Sequence, residues 1–223
     1  MSKKFSVSVN KKIEKFNKKI KVPGDKSCSI RALLLASQCI GESKIFNLLE
    51  SIDILDCLKA LRTLGVKIVK RKNHYSVYGN GLNSFKIKRK LTRLYCGNSL
   101  TTGRLLAGLL STIPSKFYIH GDASANRRDF MRVIEPLEKV GAQFFPRKKT
   151  LPLTIEGTSL PLAQKHVETR GSSQVKGLIL LSALSTPGIT TVEELKNKSS
   201  RTHTEIFLKK IGCDIKFEQT KKS

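Results

Sequence analysis

The sequence lacks long apolar runs and paired cysteines, and each absence excludes a class of protein. None of its apolar stretches approaches the roughly 18 residues that a membrane-spanning helix needs, so we expect no membrane partner. The lysine-rich N-terminus, residues 1–21, has no apolar centre and is therefore not expected to be a secretory signal. Five cysteines are scattered without a C-x-x-C pair, at Cys28, Cys39, Cys57, Cys96 and Cys213. This pattern predicts reduced thiols, a cytoplasmic location and no zinc site.

Acidic residues are also scarce, because 17 of them oppose 42 basic residues and leave a net charge of +25. Such an excess favours polyanion binding, so a nucleic-acid binder is one alternative. The lysines are spread in small groups along the chain, however, and no RNA-binding aromatic motif accompanies them. We expect a lysine-biased surface that assists the binding of small anions, with no nucleic-acid partner.

The chain contains one unit three times, in which a polar turn precedes an apolar helix. The units begin near residues 24, 97 and 171, and a basic residue recurs in their first helix after steps of 73 and 72 residues, at Arg31, Arg104 and Lys176. A second helix in each unit ends at a glycine: Gly65, Gly141 and Gly212. Repetition at a nearly constant period predicts repeated architecture.

Hydrophobic periodicity predicts alternating strands and helices along the chain. Helices are expected over 29–40, 52–64, 102–110, 131–140, 174–185 and 202–211. Strands are expected over 18–22, 43–48, 66–70, 75–78, 116–120, 142–145, 153–155, 188–192 and 213–217. We therefore predict a single α/β domain over 18–223, with repeats at about 18–90, 91–160 and 161–223 around a pseudo-threefold axis.

The polar residues before the three helices indicate an anion site. A structural helix needs only one N-cap, whereas these turns supply Lys26 and Ser27, Asn98 and Ser99, and then a Ser-Ser-Gln run at 172–174. Helix N-termini attract anions, so we expect the three turns to form three walls of one site.

Six motifs in a fixed order carry a family resemblance. They read VPGDKSCSIRA at 22–32, CGNSLTTGRL at 96–105, GDAS at 121–124 followed by Arg128, SQVK at 173–176, PGITT at 187–191 and SRTHTE at 200–205. This set resembles the 5-enolpyruvylshikimate-3-phosphate (EPSP) synthase family. The resemblance implies an enolpyruvyl transferase-like domain (an inside-out α/β barrel) of three strand-helix-strand-helix-strand-strand units. It also implies enolpyruvyl transfer from phosphoenolpyruvate to the 5-hydroxyl of shikimate 3-phosphate, which releases phosphate on the route to chorismate.

The resemblance also assigns residues to the two substrates, without a metal or another cofactor. Lys26 matches the catalytic lysine between the substrates. The residues matching the shikimate 3-phosphate site are Lys26, Ser27, Arg31, Ser172, Ser173, Gln174, Ser200 and Arg201. Those matching the phosphoenolpyruvate site are Lys26, Asn98, Leu100, Arg128 and Gln174.

Two residues depart from the family pattern. Leu100 stands where the family usually has glycine or alanine, so we expect its side chain to intrude on the ligand or push the turn outward. Weak phosphoenolpyruvate binding and tolerance of the inhibitor glyphosate would follow. Asp129 stands where proline is common, and its carboxylate is expected to draw Arg128 from its ligand.

The largest departure is length, because the family's proton-transfer carboxylates belong to a second domain beyond residue 223. We expect the 223 residues to need a second polypeptide or a missing C-terminal domain, and to bind substrate weakly alone. The alternatives are a non-catalytic anion-binding half-enzyme or fragment, and a relative that transfers enolpyruvyl to UDP-N-acetylglucosamine.

Overall fold

A computed structural model describes residues 6–12, 15, 17, 19–87, 89–195 and 197–217. The helices in this part of the chain are α1 (Lys26–Gln38), α2 (Ile52–Thr63), α3 (Leu100–Leu110), α4 (Met131–Val140), α5 (Ser173–Ala183) and α6 (His203–Lys210). The strands are β1 (Ile40–Phe46), β2 (Lys67–Lys70), β3 (His74–Asn80), β4 (Leu91–Tyr95), β5 (Lys116–His120), β6 (Gln143–Phe145), β7 (Leu153–Glu156), β8 (Lys165–Glu168) and β9 (Thr191–Glu194).

Each repeat forms its own sheet, which confirms the α/β fold with three repeated units. The first sheet has the order β1-β3-β2 and is antiparallel, with Ile40 opposite Asn80. The second has the order β4-β5-β7-β6, in which β4 runs parallel to β5 and the other pairs are antiparallel. The third pairs β8 with β9 in parallel. Within the described residues these remain three separate sheets, and none closes into a barrel.

The middle repeat alone shows the full order of strand, helix, strand, helix, strand and strand in the described residues. The expected strand over 18–22 is wrong at 19–22, which are not in a strand, and residue 18 lies outside the described part. The expected strand over 213–217 is also wrong. A strand needs a neighbour for its backbone hydrogen bonds, and the described residues give these two segments none. Strand β1 takes the place in the first repeat that β5 takes in the second. Strand β5 pairs with β4 along one edge, and the corresponding edge of β1 has no strand beside it in this part of the protein.

Most predicted elements lie within three residues of the observed bounds. Strand β5 and helix α4 match completely, and the hairpin of β2 and β3 is confirmed. Helix α1 begins at Lys26, three residues before the predicted start, because Asp25 caps it. The Asp25 Oδ1 accepts a hydrogen bond from the Cys28 backbone N–H at 2.7 Å. The short strands β4 and β8 are not predicted from the sequence.

The first helices of the repeats, α1, α3 and α5, pack together in the core. Their apolar residues are fully or almost fully buried, including Leu33, Leu34, Leu105, Leu106, Leu178 and Ile179. Helices α3 and α5 approach so closely that a Cβ on Gly108 would lie 2.3 Å from the Leu178 carbonyl oxygen. The packing places the three helix N-termini together on one side of the core. None of the helices in the described residues has the length and apolarity required to cross a bilayer.

Candidate anion-binding site

The site lies at the N-terminal turns of α1, α3 and α5. Each helix is capped by the side chain before it: Asp25 caps α1, Ser99 accepts from the Thr102 N–H at 3.3 Å, and Ser172 accepts from the Val175 N–H at 3.3 Å. One N–H in each first turn is therefore satisfied, and others remain available to a ligand. The sequence-predicted positions of the turns are confirmed.

Two hydrogen bonds join these turns across the repeats. The Arg31 Nη2 donates to the Ser173 carbonyl oxygen at 3.3 Å, linking α1 to α5. The Gln174 Nε2 donates to the Thr101 Oγ1 at 3.0 Å, linking α5 to α3. The first turns of the three helices therefore lie close together, and the partial positive charges of helix N-termini attract phosphate and carboxylate groups.

A tight glycine turn brings the second repeat against the first. Gly97 has a φ of +57°, which favours glycine. A Cβ at this position would lie 2.1 Å from Asp56 Oδ2 on α2, so no larger residue fits without movement. The turn leading to Asn98 is therefore held close to the first repeat.

The three recurring basic residues are buried and bond to other groups of the protein. Arg31, Arg104 and Lys176 are 1%, 9% and 5% exposed. The Arg104 Nη1 donates to Gln174 Oε1 at 2.6 Å, and its Nη2 donates to the Asp129 carbonyl oxygen at 2.8 Å. Burial lowers the pKa of Arg104 to about 10, which still leaves the guanidinium charged at neutral pH. These side chains join the helices beneath the site.

Arg31 illustrates this internal role most fully. Its Nε donates to Thr204 Oγ1 at 2.8 Å, and its Nη1 donates to both the carbonyl oxygen (3.2 Å) and the hydroxyl of Ser27. With the bond to Ser173, these contacts occupy four of its five N–H groups. A direct bidentate grip on a carboxylate would require some of these bonds to break.

Lys176 is bound on both sides by carboxylates. Its Nζ lies 2.8 Å from Glu194 Oε2 and 2.6 Å from Glu205 Oε1, and the Lys176 and Glu205 side chains are nearly inaccessible. The backbone N–H of Ser200 donates to the other Glu194 oxygen at 2.9 Å. This ion-pair network fixes the segment that carries Ser200 and Arg201 beside α5.

Accessible cations around the turns include Lys26, Arg128 and Arg201. The half-exposed Lys26 ammonium pairs with Asp53 Oδ2 at 2.9 Å, so an anionic ligand would share or displace this partner. The Arg128 Nη2 donates to Asn98 Oδ1 at 2.9 Å and to the Ser124 hydroxyl at 3.2 Å.

Asn98 and Arg128 belong to one polar chain. The Asn98 Nδ2 donates to Asp122 Oδ2 at 2.8 Å, while its Oδ1 accepts from Arg128. Asp122 also accepts from the Ala125 N–H at 2.7 Å, and this bond is the main cause that lowers the pKa of its carboxyl group. An ionised Asp122 therefore orients the amide that holds Arg128.

The structure corrects only part of the expectations drawn from Leu100 and Asp129, namely where the two side chains lie. The Leu100 side chain is 3% exposed and belongs to the hydrophobic core, so it does not intrude into open space above the turn. An outward displacement of the turn, weak phosphoenolpyruvate binding and glyphosate tolerance stay predictions. The Asp129 carboxylate accepts a hydrogen bond from the Met131 N–H at 2.8 Å, and Arg128 bonds to Asn98 instead.

Sequence reasoning missed several residues that build the site. Thr101 and Thr204 bond to Gln174 and Arg31, although both stand within the quoted motifs. Cys28 lies 3.9 Å from His203, measured from Sγ to Nδ1, across 175 residues of sequence. No local pattern signals a contact over that separation.

Comparisons with known proteins identify relatives of this chain. The sequence model described as EPSP synthase (3-phosphoshikimate 1-carboxyvinyltransferase) matches residues 10–223. The 3-phosphoshikimate 1-carboxyvinyltransferase of Nitrobacter winogradskyi is 38% identical over 212 residues, which cover 92% of this chain and 46% of that protein. The enzyme of the same name from a Ruegeria species is 40% identical over 205 residues, covering 90% and 44%.

Two solved structures also resemble this chain. EPSP synthase from Acinetobacter baumannii superposes with a TM-score of 0.82 at 36% identity, covering 89% of this chain and 44% of that one. The enolpyruvyl transferase NikO from Streptomyces tendae superposes with a TM-score of 0.57 at 19% identity, covering 85% and 43%, and shows a likeness of fold alone. The chain spans about half the length of the curated relatives it matches.

Proposed function

The chain belongs to the EPSP synthase family, and on this basis we propose that it supplies one of two substrate-binding halves of an enolpyruvyl transferase. The reaction would transfer the enolpyruvyl group of phosphoenolpyruvate to the 5-hydroxyl of shikimate 3-phosphate. The bond between the enolpyruvyl carbon and the phosphate oxygen breaks, a bond to the 5-oxygen forms, and phosphate leaves with the hydroxyl proton.

The observation that carries this proposal is the meeting of three helix N-termini, tied together by Arg31, Ser173, Gln174 and Thr101. Each substrate carries a phosphate and a carboxylate, so their binding requires concentrated positive potential. Backbone N–H groups at helix N-termini and accessible cations supply that potential without needing a bound metal.

On the shikimate 3-phosphate side we propose three kinds of contact. The exposed cations Lys26 and Arg201 would pair with the phosphate and the carboxylate. Hydroxyl and amide groups would hold the ring and its phosphate, from Ser27, Ser172, Ser173, Gln174 and Ser200. Arg31 would act mainly by shaping the turns, since four of its N–H groups already bond to the protein.

On the phosphoenolpyruvate side, Lys26 would lie between the substrates as the catalytic cation, and Arg128 would pair with an anionic group. Asn98 positions Arg128 through its amide oxygen. Gln174 would contact the ligand at the junction of α3 and α5. Leu100 would contribute only through the course of the turn, because its side chain is buried.

A complete site would require more than the described residues. We propose that 18–223 forms a single domain after the lysine-rich segment 1–17, and that a C-terminal domain or second polypeptide supplies the proton-transfer carboxylates. The edge of β1 that has no strand beside it among the described residues offers one place for such a partner, since β5 and β9 in the other repeats each pair with a parallel strand there. We also propose a reducing, cytoplasmic setting, which five free thiols support.

Phosphate release tests this proposal. The purified chain receives phosphoenolpyruvate and shikimate 3-phosphate, alone and together with a polypeptide covering the remaining half of the Acinetobacter relative. We expect little turnover alone and clear phosphate release from the mixture, which Lys26→Met in this chain abolishes. Fast turnover by the chain alone would show that the second half is unnecessary. No release from a folded, associated mixture would contradict the proposed activity.

A further inference from the structure

Three potential metal ligands meet where α1 and α6 begin. Asp25 precedes α1, Cys28 lies in its first turn, and His203 is the first residue of α6. A carboxylate oxygen, the thiol sulfur and an imidazole nitrogen of these residues all lie within 4.8 Å of one another. The Cys28 Sγ and the His203 Nδ1 are 3.9 Å apart.

The spacing suits a small divalent ion. Zinc with a Zn–S distance of about 2.3 Å and a Zn–N distance of about 2.1 Å holds sulfur and nitrogen about 3.6 Å apart at a tetrahedral angle. The observed separation therefore needs to close by only a few tenths of an ångström. Three protein ligands leave a fourth position for water or another ligand, as in open zinc sites.

The surrounding structure holds the ligands in place before any ion binds. Thr204, directly after His203, accepts from Arg31 on α1 at 2.8 Å, so the two helix starts are joined by a buried bond. Asp25 is fixed because its Oδ1 accepts from the Cys28 N–H, and its second carboxylate oxygen remains as a ligand. Such preorganisation lowers the cost of assembling a site.

We propose that Asp25, Cys28 and His203 form a three-ligand site for a zinc-class divalent cation at the edge of the anion-binding turns. Binding replaces the Cys28 thiol proton with the ion and releases that proton to solvent. One thiolate and one carboxylate then balance the two charges of the cation, so the occupied site is neutral, whereas the empty site carries the single negative charge of Asp25. The site is independent of the proposed transferase activity, because no step of that reaction uses it.

Cobalt(II) titration of the folded, reduced chain tests this site directly. We expect one equivalent to give a thiolate-to-cobalt charge-transfer band in the near ultraviolet and the strong visible bands of four-coordinate cobalt, both removed by added zinc. Cys28→Ser should lose the charge-transfer band, and His203→Asn should weaken binding at least about tenfold. Cys39→Ser, at the opposite end of α1, should behave as the parent does.

A second measurement is independent of colour. Zinc should slow the alkylation of Cys28 by iodoacetamide, detected by peptide mass, and leave the alkylation rate of Cys39 unchanged. The proposal is overturned if the parent shows no band and no protection, if the band survives Cys28→Ser, or if Cys39→Ser removes it. Circular dichroism establishes that each variant is folded, and His203→Asn provides the test should Cys28→Ser fail to fold.

Discussion

Arg31 and Thr204 are 173 residues apart in sequence, yet the Arg31 Nε donates to the Thr204 hydroxyl at 2.8 Å inside the protein. This bond ties the first helix of the first repeat to the last helix of the third. The equivalent residues in the other repeats, Arg104 and Lys176, also bond within the core. The repeated basic residue therefore supports the anion-binding turns from below, and the accessible cations lie elsewhere.

Replacing Lys176 by methionine should destabilise the protein by about 3–5 kcal/mol, because it leaves two carboxylates without their buried cation. Glu205 is 4% exposed and depends on this partner. Urea unfolding measures the change. The exposed Lys210→Met on α6 is the matched control and should shift the free energy of unfolding by less than about 0.5 kcal/mol.

The double variant Lys176→Met with Glu205→Gln separates charge from packing. It should regain part of the lost stability, since a neutral amide is less costly to bury than an unpaired carboxylate. If Lys176→Met costs no more than Lys210→Met, then Lys176 is not the buried centre of the ion-pair network.

Leu100→Ala should lower the free energy of unfolding by about 2–5 kcal/mol, as for other buried leucines. Leu160, which is 79% exposed, supplies the control, and its alanine variant should be nearly neutral. Chemical denaturation measures the free energy of unfolding of both variants. A neutral Leu100→Ala would mean that the side chain lies over the ligand turn, as the family comparison at the sequence level suggested.

Gly108→Ala should destabilise the protein by about 1–3 kcal/mol, because the new methyl group would overlap the Leu178 carbonyl of α5. Gly103→Ala in the same helix is the matched comparison. Its methyl group would meet nothing closer than 3.5 Å, so the higher helix propensity of alanine should make it neutral or stabilising. Thermal unfolding should therefore show a lower midpoint for Gly108→Ala and an unchanged or higher midpoint for Gly103→Ala, and equal shifts would refute the close contact of α3 and α5.

Two of the five thiols should resist Ellman's reagent until the protein unfolds. Cys57 and Cys96 are fully buried, and burial raises the pKa of each thiol to about 12. The thiolate is the reactive form, so both burial and the raised pKa suppress reaction. Cys57→Ala should leave the native count unchanged and reduce the count in denaturant by one. Rapid labelling of all five native thiols would contradict the buried positions.

Stability should fall as the pH drops from about 7.5 to about 5.5, the range in which histidine titrates. Desolvation lowers the pKa of His120 and of His166 below 6.5 in the folded protein. Between the folded and unfolded pKa values the unfolded chain binds more protons, so acid favours unfolding. The stability that the two neutral histidines contribute is complete above their pKa in the unfolded chain, and it is lost as the pH falls through their pKa in the folded protein. Urea midpoints should show a smaller decrease for His166→Gln, whereas identical slopes would remove His166 from this account.

Local sequence patterns predict much of the fold because each helix carries its own signals. Gly141 at the end of α4 and Asp25 at the start of α1 are local stop and start signals. Strands β4 and β8 are short, and their pairing with β5 and β9 depends on contacts that periodicity does not contain. The absence of a strand over 19–22 has the same cause, since the segment alternates but has no neighbouring strand in the described part of the chain.

The candidate site likewise combines features that the local sequence predicts with features that depend on distant parts of the chain. The turns at Lys26, Asn98 and Ser172 are predicted because capping chemistry is local. The burial of Arg31 and Leu100 is not predicted, because it depends on helices far away in sequence. A sequence cannot distinguish a guanidinium that meets a ligand from one whose partners, such as Ser173 and Thr204, arrive from another repeat.

The measurement that tests the central claim most directly is calorimetric titration of the folded chain with shikimate 3-phosphate. We expect one weak, saturable site per chain whose affinity falls with added salt, because accessible charges contribute to it. Arg201→Met should weaken binding at least about tenfold, about 1.4 kcal/mol, while Lys210→Met leaves it unchanged. No saturable binding, or equal binding by the parent and Arg201→Met, would contradict the assignment of the three helix N-termini as the substrate site.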